Sequence, residues 1–169
     1  SDICSGESYV ALDGTATITD GGTVTYKWYA EGGTEVLAET ATYTPMADGS
    51  YYVVATNSLA GYTDNVVQSE VVFVTTHSSA AITTAPENVR MDAGETATLA
   101  VVATGKNVTY QWYTCDADGN NATEIGATTA SYEVTVGEGV QYYKVMVSSD
   151  CGNPVEAVVK VEEWTELPL

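Results

Sequence analysis

The residues with chemical reach in this sequence are three cysteines (Cys4, Cys115 and Cys151), one histidine (His77) and a large surplus of carboxylates. One histidine and cysteines this dispersed cannot assemble a tetrahedral zinc site. His77 has no serine or cysteine nucleophile beside it in a recognisable arrangement. No glycine-rich loop is present to cradle a phosphate. Paired carboxylates can work as general acid and base, but among 23 Asp and Glu residues no pair stands out. The chain therefore reads as non-enzymatic, with no catalytic residue and no cofactor expected.

Asp116-Ala117-Asp118-Gly119-Asn120 imitates the opening of a calcium loop, with oxygen ligands at its first, third and fifth positions. The imitation then stops. Asn121 stands where the sharp turn needs glycine, and Ala127 stands where a bidentate glutamate belongs. Asp, Asn and Gly are also the ordinary residues of a hairpin turn, so a plain turn without metal is expected. The better binding clue is a set of tyrosines, Tyr29, Tyr51, Tyr113 and Tyr142, which offer large amphipathic area at low entropy cost. The competing reading is that they pack across strands and merely stabilise an exposed sheet.

Those tyrosines belong to an internal repeat. Thr25-Tyr26-Lys27-Trp28-Tyr29 returns as Thr109-Tyr110-Gln111-Trp112-Tyr113, Ala41-Thr42-Tyr43 as Ala130-Ser131-Tyr132, and Tyr51-Tyr52-Val53-Val54 as Tyr142-Tyr143-Lys144-Val145. A period of about 85–90 residues is too long for a solenoid unit and suits one small β-sandwich. Two domains follow, 1–77 and 82–169, with the short stretch 78–81 between them, and His77 at its start reads as a linker residue too. Abundant Val, Thr and Tyr make an all-β composition. Seven or so short strands are expected in each copy.

Alternation with period two fixes the faces. In the second copy Tyr110, Trp112, Tyr143 and Val145 point inward, with Val101 on an earlier strand. Gln111, Tyr113, Tyr142 and Lys144 point outward. Matching the copies letter by letter puts Trp28, Tyr52 and Val54 inside the first copy and Tyr29 and Tyr51 on its outer face. Upstream, the first copy aligns in two ways. Gly6-Glu7-Ser8 matches Gly94-Glu95-Thr96, which is favoured, or Gly14-Thr15-Ala16-Thr17 matches Gly94 to Thr98. If Trp112 and Val145 are level on neighbouring antiparallel strands, Cys115 and Cys151 lie about 30 Å apart along the sheet. That exceeds the roughly 7 Å between Cα atoms that a disulfide spans. Three reduced thiols are expected.

The formal charge of −18 repels nucleic acid and anionic membranes, which are bound through Lys and Arg clusters. It suits solubility and mutual repulsion among crowded copies. No apolar run approaches the roughly 18 residues that cross a bilayer, so no membrane insertion is expected. Three origins fit the Ser1 start: a removed leader, a chain supplied without its leader, or a native cytoplasmic start after trimming of Met.

The buried Trp on a central strand, with a Tyr two residues before a buried position on a facing strand, resembles the immunoglobulin-like sandwich. Tyr52 and Tyr143 would then hold its tyrosine corner. The family's inter-sheet disulfide is missing, with Val54 and Val145 in the second cysteine's place and Val101 in the first one's. The lost crosslink would otherwise contribute roughly 2–4 kcal/mol. More narrowly, Cys4-Ser5-Gly6-Glu7-Ser8, the Tyr-x-Trp-Tyr strands and the double tyrosines resemble the Ig-like repeats of Bacteroidetes surface proteins. In such repeats a cysteine near the first strand pairs with one just after the double-tyrosine strand. Here the first copy keeps only Cys4 and the second only Cys151, which leaves a Cys4–Cys151 bond between neighbouring molecules as the alternative to free thiols.

The resemblance implies surface display, spacing or adhesion on an exported bacterial protein, with a protein or glycan ligand and scope for self-association. Similar domains decorate phage particles, so a virion component docked on a capsid or tail protein is the second reading. A glycan-binding arm of a secreted enzyme is the third. Trp164, beyond the last core-like strand, would cap the domain or dock on a neighbour.

Overall fold

The computed structural model describes residues 1–164; the last stretch of the second copy, 165–169, lies outside the described residues. Among the described residues every regular element is a strand. The chain divides into two compact units, Ser1–His77 and Ser78–Leu169.

The first unit contains β1 (Asp2–Cys4), β2 (Leu12–Asp13), β3 (Thr23–Ala30), β4 (Thr42–Tyr43), β5 (Gly49–Ser58), β6 (Asn65–Gln68) and β7 (Val72–His77). Its larger sheet runs β1-β7-β5-β3, with β6 also on β5, and the facing layer is the β2–β4 pair. β1 lies parallel to β7 with Ile3 opposite Thr76, while β3 and β5 pair antiparallel with Trp28 opposite Val53. The core is Ile3, Leu12, Trp28, Tyr51, Val53 and Val74. Small β-branched and aromatic residues suit this pleated, one-side-buried surface.

The second unit contains β8 (Ala81–Thr84), β9 (Val89–Met91), β10 (Thr96–Ala100), β11 (Val102–Thr104), β12 (Thr109–Cys115), β13 (Thr123–Glu124), β14 (Ser131–Thr135), β15 (Val140–Ser148) and β16 (Val155–Glu163). One sheet runs β13-β12-β15-β16-β9, and the β10–β14 and β11–β8 pairs supply the other layer. Trp112, Val145, Val147, Val159 and Val161 are fully buried between the layers. Residues 78–81 join this unit: Ala80 sits in its core and Ala81 opens β8.

The two units repeat each other bond for bond around the tryptophans. Trp28 Nε1 donates to Thr40 O at 3.0 Å, and Trp112 Nε1 donates to Thr129 O at 2.9 Å. Each indole N–H thus finds the partner a buried donor needs. Trp28 packs on Tyr43, and Tyr43 on Tyr51; Trp112 packs on Tyr132, and Tyr132 on Tyr143. Both opening turns match too. Glu7 N donates to Cys4 O and Glu95 N to Asp92 O, with Gly6 and Gly94 at φ 92° and 91°. This selects the Gly6–Gly94 alignment. Gly14 N donates to Ala41 O as Val101 N does to Ala130 O, each at 2.9 Å, so Gly14 is the counterpart of Val101 rather than of Gly94.

Candidate functional site

The outer face of the larger sheet in the first unit differs from the sequence expectation by one residue. Tyr51, expected outside, is 6% exposed in the core, and Tyr52, expected inside, is half-buried on the opposite face. Val53, not Val54, faces Trp28. The cause is loop length. From Tyr43 to Tyr51 the chain is three residues shorter than from Tyr132 to Tyr143, so matching the tyrosine doublets letter by letter slips the register by one. A one-residue slip exchanges the faces of every side chain on a strand. Tyr51 is therefore the counterpart of Tyr143, and it forms the corner: its hydroxyl donates to Ala47 O at 2.9 Å. Burial pushes the phenol pKa of both Tyr51 and Tyr143 above the ordinary value.

With the register corrected, Tyr52 lies across the strands from Tyr29, and their rings stack at 5.4 Å between centroids and 22° between planes. Neither ring is fully covered. Lys27 on the same strand is exposed.

In the second unit the equivalent pair is Tyr113 and Lys144, which are cross-strand partners. Lys144, expected outside, is on the outer face yet only 9% exposed. Its Nζ lies 5.9 Å from the Tyr113 ring centroid and 3.2 Å from Glu156 Oε2. The ammonium is thus paired rather than stranded, as a covered charge must be. The loop after β12 supplies the cover. A Cβ on Gly119 would stand 2.9 Å from Val158 Cγ2 and 3.6 Å from Lys144 Cδ, so the loop backbone rests on the sheet face. Asp116 organises that loop. Its Oδ1 accepts from Asp118 N and Asn120 N at 3.1 and 2.7 Å, and its Oδ2 accepts from Asn121 Nδ2 at 2.9 Å. These oxygens are engaged by the turn, which is the behaviour of a hairpin built on an Asx residue. Tyr142 lies between Cys115 and Lys160 on the neighbouring strands and is half-buried.

The cysteines correct a second expectation. Cys4 and Cys151 are disulfide-bonded, and Cys115 is the free thiol. Trp112 and Val145 are indeed level, and Cys115 lies opposite Tyr142, well away from Cys151. Burial raises the Cys115 thiol pKa, with Lys144 pulling the other way. Val145 and Val101 fill their places in the second core, and Val53 and Gly14 occupy the matching places in the first. His77 ends β7, with Nε2 2.8 Å from Asp2 Oδ1. Trp164 is half-exposed under the Arg90 guanidinium, 4.5 Å from its ring.

Two antiparallel layers, a first strand parallel to the last, and a buried tryptophan facing a tyrosine corner define an immunoglobulin-like fold. Comparison with known proteins agrees. A family model described as a domain of unknown function (DUF8696) matches residues 80–163. No curated protein sequence matches the chain. Among solved structures, the Drosophila OTK extracellular domains 3–5 are similar at TM-score 0.57 and 14% identity, over 98% of this chain and 59% of that one. The amphioxus IgVJ-C2 molecule is similar at TM-score 0.57 and 16% identity, over 96% of this chain and 99% of that one. Dpr11 IG1 bound to DIP-gamma IG+IG2 is similar at TM-score 0.53 and 14% identity, over 96% of this chain and 94% of that one. Identities this low establish the fold alone.

Proposed function

We propose that the chain is an exported, non-enzymatic recognition module of two immunoglobulin-like domains, 1–77 and 78–169, that binds a protein partner. The observation that carries this reading is the Tyr29–Tyr52 stack, two part-exposed aromatic rings on the face of a rigid sheet. Rigid tyrosines lose little entropy on binding and bring large contact area. Tyr113 and Tyr142 extend the same use to the second domain. The neighbour in which Dpr11 IG1 is bound to DIP-gamma IG+IG2 is itself a pair of Ig proteins in complex, which supports a protein rather than a small-molecule partner, self-association included.

Oxidised Cys4 and Cys151 support export, because the cytosol keeps thiols reduced. A virion component assembled in the reducing cytoplasm would carry reduced thiols, so the oxidised pair weighs against that reading. The resemblance to Bacteroidetes repeats makes adhesion, spacing or display on a bacterial surface the favoured setting. Labelling intact producer cells with a membrane-impermeant, amine-reactive biotin tests this, since Lys27 is exposed. The chain should carry biotin before lysis. Labelling only after lysis would contradict export to the surface.

A further inference from the structure

Where β5 runs into β6 at one end of the first unit, Asp20, Asn57, Leu59, Tyr62, Thr63 and Asn65 line a groove of about 410 Å³. None of these residues belongs to the tyrosine face.

One wall is a locked polar pair. Gly21, at φ 77°, turns the chain so that Asp20 Oδ1 accepts from Gly22 N at 3.0 Å, while Oδ2 accepts from Asn57 Nδ2 at 2.7 Å. The Gly22 amide first, and the Asn57 amide second, hold the Asp20 carboxyl below its ordinary 3.8, so it is an anion at neutral pH. A Cβ on Gly22 would fall 2.1 Å from Asn57 Oδ1, so only glycine lets the amide sit this close. That Oδ1 is covered, packed against Gly22, and among the described residues has no hydrogen-bond partner.

The other wall is an aromatic platform. Gly61, at φ 86°, and the Tyr62 N to Leu59 O hydrogen bond of 3.1 Å shape a tight turn. The turn holds Tyr62 75% exposed. A tyrosine this exposed adds almost nothing to the core, yet it lines the groove beside Asp20, Asn57, Thr63 and Asn65.

No Lys or Arg lines the groove, and the chain carries −18 overall, so phosphate, sulfate or a sialylated ligand would be repelled. Asp20 is the one carboxylate lining the groove, each of its oxygens keeps a second lone pair, and among the described residues no cluster of three His, Cys, Asp or Glu side chains could hold a metal. The lining, one aromatic ring beside carboxylate, hydroxyl and amide groups, fits a neutral ligand with an apolar face for the ring and hydroxyls for the polar groups. A pyranose has both. The C–H face of the sugar would lie on Tyr62, and its hydroxyls would meet Asp20, Thr63 and Asn65. We infer that this groove is a binding site for neutral carbohydrate, with Tyr62 as the platform and Asp20 as the hydroxyl acceptor. The site is separate from the tyrosine face, and its success or failure leaves the protein-partner reading standing.

The test uses the full chain on an array of neutral gluco-, manno- and galacto-oligosaccharides, with sialylated forms beside them. The best-bound sugar is then titrated by amide NMR into the wild type, Tyr62→Phe and Tyr62→Ala. The expected result is binding of a neutral oligosaccharide, with shifts centred on Gly21, Gly22, Asn57 and Tyr62. Tyr62→Phe should retain it, and Tyr62→Ala should weaken it at least about tenfold, with both variants melting as the wild type does. No neutral sugar bound, preference for the sialylated forms, or equal affinity in Tyr62→Ala would overturn the inference.

Discussion

Tyr52 stacks on Tyr29 at the position where the second unit places Lys144 beside Tyr113. One cross-strand address on the same sheet face is thus an aromatic stack in one copy and a covered cation–aromatic pair in the other. In the first both rings are part-exposed, whereas in the second the loop carrying Gly119 covers Lys144 and leaves Tyr113 part-exposed. Aromatic pairs contribute about 0.5–1.5 kcal/mol beyond area burial. Tyr52→Ala should therefore lower stability by about that much and leave the unit folded. Lys144→Ala should cost more, about 1–3 kcal/mol, because it removes a side chain packed under the loop; Glu156, half-exposed, stays hydrated. Urea midpoints of the two variants check the order.

Gly14 stands where the second unit has Val101. A Cβ there would come within 2.7 Å of Val53 Cγ1 and 2.8 Å of Trp28 Cζ2. The tryptophan in this copy has taken the space that a side chain fills in the other. Gly14→Val should destabilise by about 1–3 kcal/mol through overpacking. The nearby exposed Thr17→Val should sit within about 0.5 kcal/mol of wild type.

Thiol counting checks the cysteine assignment. The denatured, unreduced chain should react with one equivalent of a disulfide reagent, through Cys115, and with three after reduction. In the folded chain the reaction should be slow near neutral pH, because burial raises the Cys115 pKa and lowers its thiolate fraction. Three equivalents without reduction would remove the support that these cysteines lend to export.

Asp48 ties the first unit together at acidic pH. It accepts from Thr76 Oγ1 at 2.6 Å, Thr76 N at 2.9 Å and the Tyr9 hydroxyl at 3.0 Å. The Thr76 hydroxyl first, then the Thr76 amide, hold its pKa below the ordinary 3.8. The unfolded chain therefore binds the proton more tightly. The contribution is present in full above the unfolded pKa, and is lost as pH falls from 3.8 through the folded value. Asp48→Asn should melt below wild type at pH 7, with the difference shrinking below that window. A constant difference across pH would point to packing instead of charge.

Much of the sandwich was legible because its signals are local. The Trp strands, the Thr-Ala-x-Tyr stretches and the last strands alternate with period two, and burial follows that alternation closely. The tyrosine doublet was misread for a physical reason. Tyr51-Tyr52 and Tyr142-Tyr143 look alike, yet loop length upstream decides which tyrosine faces in, and the residues of the doublet carry no sign of it. The burial of Lys144 depends on a loop folding back, which strand periodicity does not encode. The Asp20, Asn57 and Tyr62 groove comes from separate turns that meet only in three dimensions. Spacing excluded a Cys115–Cys151 bond, but the oxidation of Cys4 and Cys151 is a tertiary fact without a local signal.

The central claim, a protein partner bound on the tyrosine face, is tested most directly by photo-crosslinking in the native producer. Benzoylphenylalanine is placed at Tyr29 or Tyr113, and at exposed Thr42 and Thr98 on the opposite layers as controls. The account predicts a discrete protein adduct on illumination at Tyr29 or Tyr113 and none at the controls. No adduct at either tyrosine, or the same adducts at all four positions, would contradict it.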